Sequence, residues 1–138
     1  MKTSILLSVF AILIATMSLS AGNVKTYTNH YSDDKQIVKE FTRIEQGSDQ
    51  PLQKEIYTYA TDGKMLSKET FKWAGSKGWE GILCTEYQYS ENMKVDKLRF
   101  TKWDKVTNGW SENAEELSYY YNDKNELILV DHSQIAER

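Results

Sequence analysis

The sequence contains few of the residues that cross-link a chain or interrupt its secondary structure. Among 138 residues there is one cysteine, Cys84, and one proline, Pro51. A lone cysteine cannot form a disulfide within the chain, so packing and hydrogen bonds must hold the fold together. Because Cys84 lies between Leu83 and Thr85 in a strand-like segment, we expect it to be buried and unreactive.

A surplus of basic charge is also missing. The chain carries 17 lysine and arginine residues against 20 aspartate and glutamate residues, a formal net charge of −3. Nucleic-acid-binding domains need a basic stripe, and anionic membrane surfaces attract basic segments. We therefore expect neither a nucleic acid nor a membrane surface among the partners.

Long hydrophobic runs are confined to the N-terminus. Residues 1–22 have the three parts of a secretory signal peptide: a positive charge at Lys2, an apolar run at 5–15, and small residues before Asn23. The apolar run is too short to span a bilayer. A retained signal anchor is the alternative, and the small residues of the cleavage zone disfavour it.

These features predict cleavage between Ser20 and Asn23 and a single domain over residues 23–138. No cysteine lies near the cleavage site, so a bacterial lipid anchor is not expected. No later hydrophobic run reaches transmembrane length, so we expect no membrane insertion after cleavage. The expected location is the periplasm or the cell exterior.

What the sequence does contain is a tyrosine-marked unit that occurs four times. The second tyrosine of each pair, which we call the anchor, stands at Tyr31, Tyr59, Tyr89 and Tyr121, with spacings of 28, 30 and 32 residues. A fixed period indicates one supersecondary unit copied several times. Six residues after each anchor stands an aliphatic side chain or a methionine: Ile37, Met65, Val95 and Leu127.

Each unit has the pattern of a β-hairpin. In the second unit Asp62-Gly63 joins two alternating segments, a strong hairpin signal because glycine accepts a positive φ. Asn125 stands at the equivalent place in the fourth unit, and asparagine also tolerates that conformation. In the third unit Met93 is poorly suited to it, and Asn92 is the alternative. The predicted strands are 25–31, 36–44, 53–60, 64–73, 81–90, 94–103, 114–121 and 126–132.

The predicted fold class is all-β: an antiparallel meander of about four repeated β-hairpins. Isolated hairpins are marginal in water, so the four must pack together, as one curled sheet or as two facing layers. The segment 127–130 is apolar on both faces, so we expect the last strand to be the most buried. Residues 112–117 could begin a helical turn, but the register of the repeat favours a strand.

Two resemblances rest on these residues. The segment Tyr57-x-Tyr59-x-x-Asp62-Gly63 resembles the tyrosine-aspartate repeat of large bacterial surface and toxin-shell proteins, which implies a hairpin and nothing more. Over residues 23–133 the chain is more similar to a domain-of-unknown-function family of short, signal-bearing Bacteroidetes proteins. That resemblance implies a secreted β-rich protein and no activity. The tyrosine pairs carry it together with Trp73, Trp79, Trp103 and Trp110.

No residue pattern predicts a catalytic site, a cofactor or a metal. A glycosidase needs two carboxylates at a set separation across one sugar, which the sequence does not show. His30 and His132 lack metal-ligand spacing with any Cys, Asp or Glu cluster. Asp123-x-Asn125 begins like a calcium loop, but Leu127 stands where an oxygen ligand belongs. The carboxylates considered for hydrolysis are Glu55, Glu69, Glu86, Glu112, Glu115 and Glu116.

The tryptophans beside the hairpin connections are the candidate ligand-binding residues. An indole there can stack on a sugar ring or anchor a protein partner. The alternative is that these rings cap the ends of the sheet core. The four are Trp73, Trp79, Trp103 and Trp110.

We therefore expect a non-catalytic binding module for an unknown glycan or protein. Such a module should present exposed, coplanar tryptophans at one end of its sheet. Two alternatives stay open. One is a structural protein that self-associates through its strand edges, and the other is a small hydrolase that uses paired glutamates.

Overall fold

A computed structural model describes residues 24–136 of the chain. The predicted signal peptide, residues 1–22, and its cleavage site lie outside the described residues. Eight strands and one short 3₁₀ helix make up the described fold. The strands are β1 Val24–Ser32, β2 Gln36–Glu45, β3 Pro51–Ala60, β4 Met65–Trp73, β5 Trp79–Tyr89, β6 Val95–Asp104, β7 Gly109–Tyr121 and β8 Leu127–Ala136, and the helix is Gly75–Lys77.

The strands form one open antiparallel sheet in which each pairs only with its neighbours in sequence. The order is β1-β2-β3-β4-β5-β6-β7-β8. This confirms the all-β meander of four hairpins, and of the two expected packings the structure has the single sheet. The largest boundary differences are at β7, which begins at Gly109 rather than 114, and at β8, which continues to Ala136 rather than 132. Residues 112–117 are strand, as the register predicted.

Three of the four hairpin loops close with the same two backbone hydrogen bonds. In the second loop Ala60 N donates to Lys64 O at 2.8 Å, and Gly63 N donates to Ala60 O at 2.9 Å. The third and fourth loops repeat both bonds between equivalent residues. The repeat in sequence is therefore a repeat in loop geometry.

The shared loop requires a left-handed residue just before its closing residue. Gly63 has φ 88° there and Asn125 has φ 61°, as predicted. Met93 takes the same position with φ 60°, so the alternative that Asn92 adopts it is wrong. The loop hydrogen bonds determine which residue is left-handed, and that residue adopts a positive φ even when it is a methionine. The first loop differs, because it has one backbone bond, from Asp33 N to Gln36 O at 2.9 Å, and Asp33 Oδ1 accepts from Lys35 N and Gln36 N.

Replacing Met93 by glycine is expected to stabilise the protein. A left-handed conformation costs a residue with a Cβ atom about 1 kcal/mol, and glycine avoids that cost. Met93 is 61% exposed, so little packing is lost. Urea unfolding should show a gain of about 0.5–1 kcal/mol for Met93→Gly. Asn92→Gly is the matched control, and an equal gain there would contradict the assigned turn.

The anchor tyrosines of the last three hairpins occupy equivalent settings. Each lies opposite the apolar residue six positions later: Tyr59 opposite Met65, and Tyr89 opposite Val95. In all three hairpins a one-residue bulge lies next to the anchor. The phenol of Tyr89 donates to the backbone oxygen of Met65 at 2.8 Å, joining consecutive hairpins. Tyr121 has the same two interactions. It lies opposite Leu127, and its phenol donates to the backbone oxygen of Val95 at 2.7 Å.

The anchor at the edge of the sheet departs from this pattern. Tyr31 lies opposite Val38 rather than Ile37, without a bulge, and is 54% exposed. No strand precedes β1 within the described residues, so Tyr31 has no earlier hairpin to bond.

Cross-strand pairing places six tyrosines of the last three hairpins on one face, which we call the tyrosine face. Burial raises the pKa of five phenols above the ordinary value of 10.0, and for Tyr57 the Glu55 carboxylate adds to the effect. The six residues of the tyrosine face are Tyr57, Tyr59, Tyr87, Tyr89, Tyr119 and Tyr121.

These raised pKa values predict a protein that is sensitive to alkali. The unfolded chain releases phenolic protons first, so stability is complete below about pH 10 and falls as the pH rises further. Urea unfolding at about pH 8 and about pH 11 should show a marked loss at the higher pH. Tyr87→Phe removes one titrating group and should reduce that loss. Equal stability at both pH values would contradict the buried phenols.

Burial within this single layer is shallow. No side chain of residues 24–136 is fully buried, because each face of the sheet is open. Cys84 is buried, as predicted. Burial, with smaller effects of Glu69 and Glu86, raises the pKa of its thiol to about 12. The reactive thiolate is therefore disfavoured at neutral pH, in line with an unreactive cysteine.

The prediction that the last strand is the most buried is wrong. Leu127 is 52% exposed, Ile128 63%, Leu129 55% and Val130 43%. The reason is that β8 is the outer strand of the sheet and no second layer covers it within the described residues. An apolar run on both faces fits a strand between two layers, but here it lies on an open edge.

Candidate binding site: the tryptophan surface

The four predicted tryptophans lie at two of the three connections that join neighbouring hairpins. Trp73 ends β4 and is opposite Trp79, which begins β5. Trp103 is in β6, opposite Trp110 in β7. The sequence spacing of the two pairs therefore becomes cross-strand pairing at two successive connections.

Phe71 links the second pair to β4. Its ring centroid lies 5.5 Å from that of Trp110 and 6.2 Å from that of Trp103. The Nζ atom of Lys54 lies 5.1 Å from the Phe71 centroid and 4.9 Å from the Trp79 centroid. These contacts place the rings on one face and at one end of the sheet, opposite to the tyrosine face. We call this group the tryptophan surface: Phe71, Trp73, Trp79, Trp103 and Trp110.

A glycine makes room for this surface. Gly81 lies opposite Phe71 in the sheet. A Cβ atom at Gly81 would come within 2.3 Å of Trp103 Cε3 and 2.7 Å of Trp110 Cη2. The two indoles therefore lie directly over the Gly81 backbone, a close approach that only glycine permits.

The rings meet edge to face and are not coplanar. Trp73 and Trp79 have centroids 5.1 Å apart at an interplanar angle of 73°. Trp103 and Trp110 are also 5.1 Å apart, at 88°. All four are half-buried. The expected exposed, coplanar arrangement is therefore absent, because edge-to-face contact is the geometry that aromatic quadrupoles favour.

The two indole N–H groups of the second pair have different environments. Trp110 Nε1 donates to Glu69 Oε1 at 2.9 Å. Trp103 Nε1 is buried and has no hydrogen-bond acceptor among the described residues. One carboxylate therefore orients one indole, while Lys54 supplies a positive charge at the margin of the surface.

The carboxylates considered for hydrolysis are mostly held by ion pairs or hydrogen bonds. Glu55 Oε2 accepts from the Tyr57 hydroxyl at 3.1 Å, and Glu116 lies 2.8 Å from Lys97 Nζ. Lys102 and, to a smaller extent, His132 lower the pKa of Glu115, the opposite of the shift that a general acid needs. No contact of these groups favours hydrolysis.

The described chain offers no preformed metal site. Within residues 24–136 the His, Cys, Asp and Glu side chains form no cluster of three or more that could hold an ion. None of the helical structure in that range is long and apolar enough to span a membrane.

Sequence reasoning found the four tryptophans but missed the residues that assemble them. Neither Phe71 nor Lys54 was predicted to take part in this surface. Gly81 carried a usable signal, because an isolated glycine within a strand marks a bulge or a close approach. Glu69 was considered only as a catalytic carboxylate, whereas it accepts an indole hydrogen bond.

Comparison with known proteins gives a family and two solved relatives. The sequence model of a family described as "Family of unknown function (DUF3836)" matches residues 1–121. A DUF3836 family protein from Parabacteroides distasonis is similar, with 15% identity and a TM-score of 0.39, covering 82% of this chain and 91% of its own. One from Bacteroides vulgatus has 19% identity and a TM-score of 0.37, covering 83% and 99%. No curated protein matches the sequence.

Proposed function

The chain belongs to the DUF3836 family of unknown function, as its sequence resemblance predicted, and from that premise we propose that it is a non-catalytic binding module. It acts in the periplasm or outside the cell once residues 1–22 are removed. Its ligand is a protein partner that contacts the tryptophan surface. No activity of a relative enters this proposal, because the family has none assigned.

The observation that supports the proposal is the gathering of five aromatic rings on one open face. Tryptophan is enriched among the residues that dominate binding energy at protein interfaces. Edge-to-face contacts between these rings restrict their rotamers before any partner arrives, so binding costs less side-chain entropy. Lys54 and Glu69 supply a charge of each sign beside the rings, as expected at the margin of a protein interface.

Ring geometry favours a protein over a glycan. Successive sugars stack best on rings that share a plane, whereas these pairs meet at 73° and 88°. Two indoles at a right angle form a corner that suits one apolar or aromatic side chain of a partner. A glycan ligand is the competing outcome of the test below.

The same contacts also stabilise this end of the sheet, so the test must separate stability from binding. The Trp73–Trp79 pair is the better target, because the three atoms nearest to a Cβ atom at Gly81 belong to Trp103 and Trp110 instead. Removing an aromatic pair costs about 0.5–1.5 kcal/mol beyond the buried area, which a folded variant can tolerate.

A paired screen tests the proposal. The full chain is expressed in a secreting host, and the processed protein is tested against envelope proteins of its source cell and a glycan array. We expect a protein partner whose binding is lost in Trp73→Ala/Trp79→Ala and kept in the control Tyr27→Ala/Tyr31→Ala. The control removes two exposed rings from the distant strand β1. Glycan binding, equal binding by both variants, or no ligand at all would contradict the proposal.

A further inference from the structure

Strand β8 is an open edge with an unusual side-chain pattern. Nine of its ten residues pair with β7 on one side, and no strand of the described chain pairs with the other side. The outer side therefore presents free backbone donors and acceptors, which are a template for another strand. Leu127, Ile128, Leu129 and Val130 add a run of large apolar side chains, each roughly half exposed.

The usual protections of an edge are missing from most of β8. Natural sheets protect their edges with lysine, proline, bulges or very short strands. Residues 127–136 contain no lysine, arginine or proline. One bulge lies at the first residues of the strand, so that pairing from Leu129 onward is regular. The outer strand β1 is different, because its exposed residues 25–32 are polar or tyrosine.

We propose that two copies of this chain associate through β8, forming an antiparallel strand pair that continues the sheet from one copy into the other. The pair is self-complementary. A two-fold axis at Leu129 places this residue beside the partner's Leu129, and Ile128 beside the partner's Val130. The three central pairs are then apolar, Leu127 faces the partner's Asp131, and no like charges face each other.

The second copy fits this edge better through β8 than through β1. Pairing β8 with another copy's β1 would set the apolar run opposite polar side chains such as Asn29. That contact is also heterologous, so it would leave a free edge at each step and build open chains. Pairing β8 with β8 closes after two copies and uses both apolar runs.

The size of the contact predicts a weak dimer. Stable interfaces bury roughly 800 Å² per partner, whereas four half-exposed side chains supply only a few hundred Å². We therefore expect reversible association at micromolar or higher concentration rather than an obligate dimer.

Sedimentation equilibrium of the processed protein tests the association. A concentration-dependent monomer–dimer equilibrium is expected, and Leu129→Lys should raise its dissociation constant at least about tenfold, since an edge lysine opposes pairing. Asn29→Lys, the same change on β1, should leave it unaltered. A monomer at all concentrations up to about 1 mM, or equal effects of both variants, would overturn the proposal.

Disulfide trapping gives a second readout that does not depend on affinity. Directly opposed residues of an antiparallel pair have Cβ atoms about 4.5–5.5 Å apart, within reach of a disulfide after small adjustment. Under mild oxidation by dissolved oxygen, Leu129→Cys should form cross-linked dimers faster than Gln134→Cys on the same strand. Equal rates would contradict a pair centred on Leu129. Trp73→Ala/Trp79→Ala should still dimerise, so this proposal and the binding function can fail separately.

Discussion

Replacing Gly81 by alanine is expected to destabilise the protein by about 2–3 kcal/mol, within the range found when extra atoms are forced into a packed site. The added Cβ atom would lie 2.3 Å from Trp103 Cε3. Neither indole can move away freely, because Trp103 and Trp110 pack edge to face on each other and on Phe71. Urea unfolding monitored by circular dichroism measures the loss.

Gly109 provides the matched control for this prediction. It is also a strand glycine without a positive φ, and a Cβ atom there would meet nothing within 4 Å. Gly109→Ala should therefore change the free energy of unfolding by less than about 1 kcal/mol. Equal effects of the two substitutions would show that the indoles do not lie over the Gly81 backbone, and the tryptophan surface would have to be revised.

Replacing Lys68 by methionine is expected to cost about 2–4 kcal/mol of stability. Lys68 Nζ lies 3.3 Å from Glu55 Oε1, and the two side chains are only 16% and 7% exposed. Removing one member of a buried ion pair typically costs about 3–5 kcal/mol, because the other charge stays buried alone. Because Lys68 is partly exposed, we expect a stability loss towards the lower end of that range. Methionine keeps most of the side-chain volume, so the measured loss reports charge rather than packing.

Lys72 on the same strand is the control for Lys68. Its Nζ lies 3.6 Å from Glu80 Oε2, but its side chain is 52% exposed. Lys72→Met should therefore cost less than about 1 kcal/mol, as exposed pairs do. A large loss at both positions would argue for a general dependence on lysine rather than for a buried pair.

A second substitution should rescue the Lys68 variant. The Tyr57 hydroxyl donates to Glu55 Oε2 at 3.1 Å. Glu55→Gln removes the unpaired negative charge but keeps an oxygen that can accept this hydrogen bond. The double variant Lys68→Met/Glu55→Gln should recover most of the lost stability. Failure to recover would mean that Lys68 stabilises the sheet through its ring contact with Tyr57 instead.

The repeat was the part of the fold that sequence could predict well. Its tyrosines, its loop residues and its apolar partners all derive from local rules of strand alternation and turn chemistry. That is why Asn125 was assigned correctly and why Tyr121 lies opposite Leu127. Met93 shows the limit, because intrinsic preference alone favours Asn92 and the hydrogen-bond pattern of the loop overrides it.

The number of layers and the position of the edge could not be predicted in the same way. The run Leu127–Val130 has the composition of a central strand, and only topology shows that nothing follows β8 in the described sheet. The tryptophans were identified because they repeat. Phe71 and Gly81 do not repeat in the same form, so their part in the surface emerged only from the cross-strand register.

Both proposals depend on one property, that the hairpins form a single open layer with the tryptophan surface and β8 uncovered. Proton nuclear Overhauser spectroscopy of the processed protein at low concentration tests this most directly. We predict cross-strand contacts for the seven neighbouring strand pairs, together with side-chain contacts from Phe71 to Trp103 and Trp110. Side-chain contacts between strands four or more positions apart, as two facing layers would give, would contradict the account.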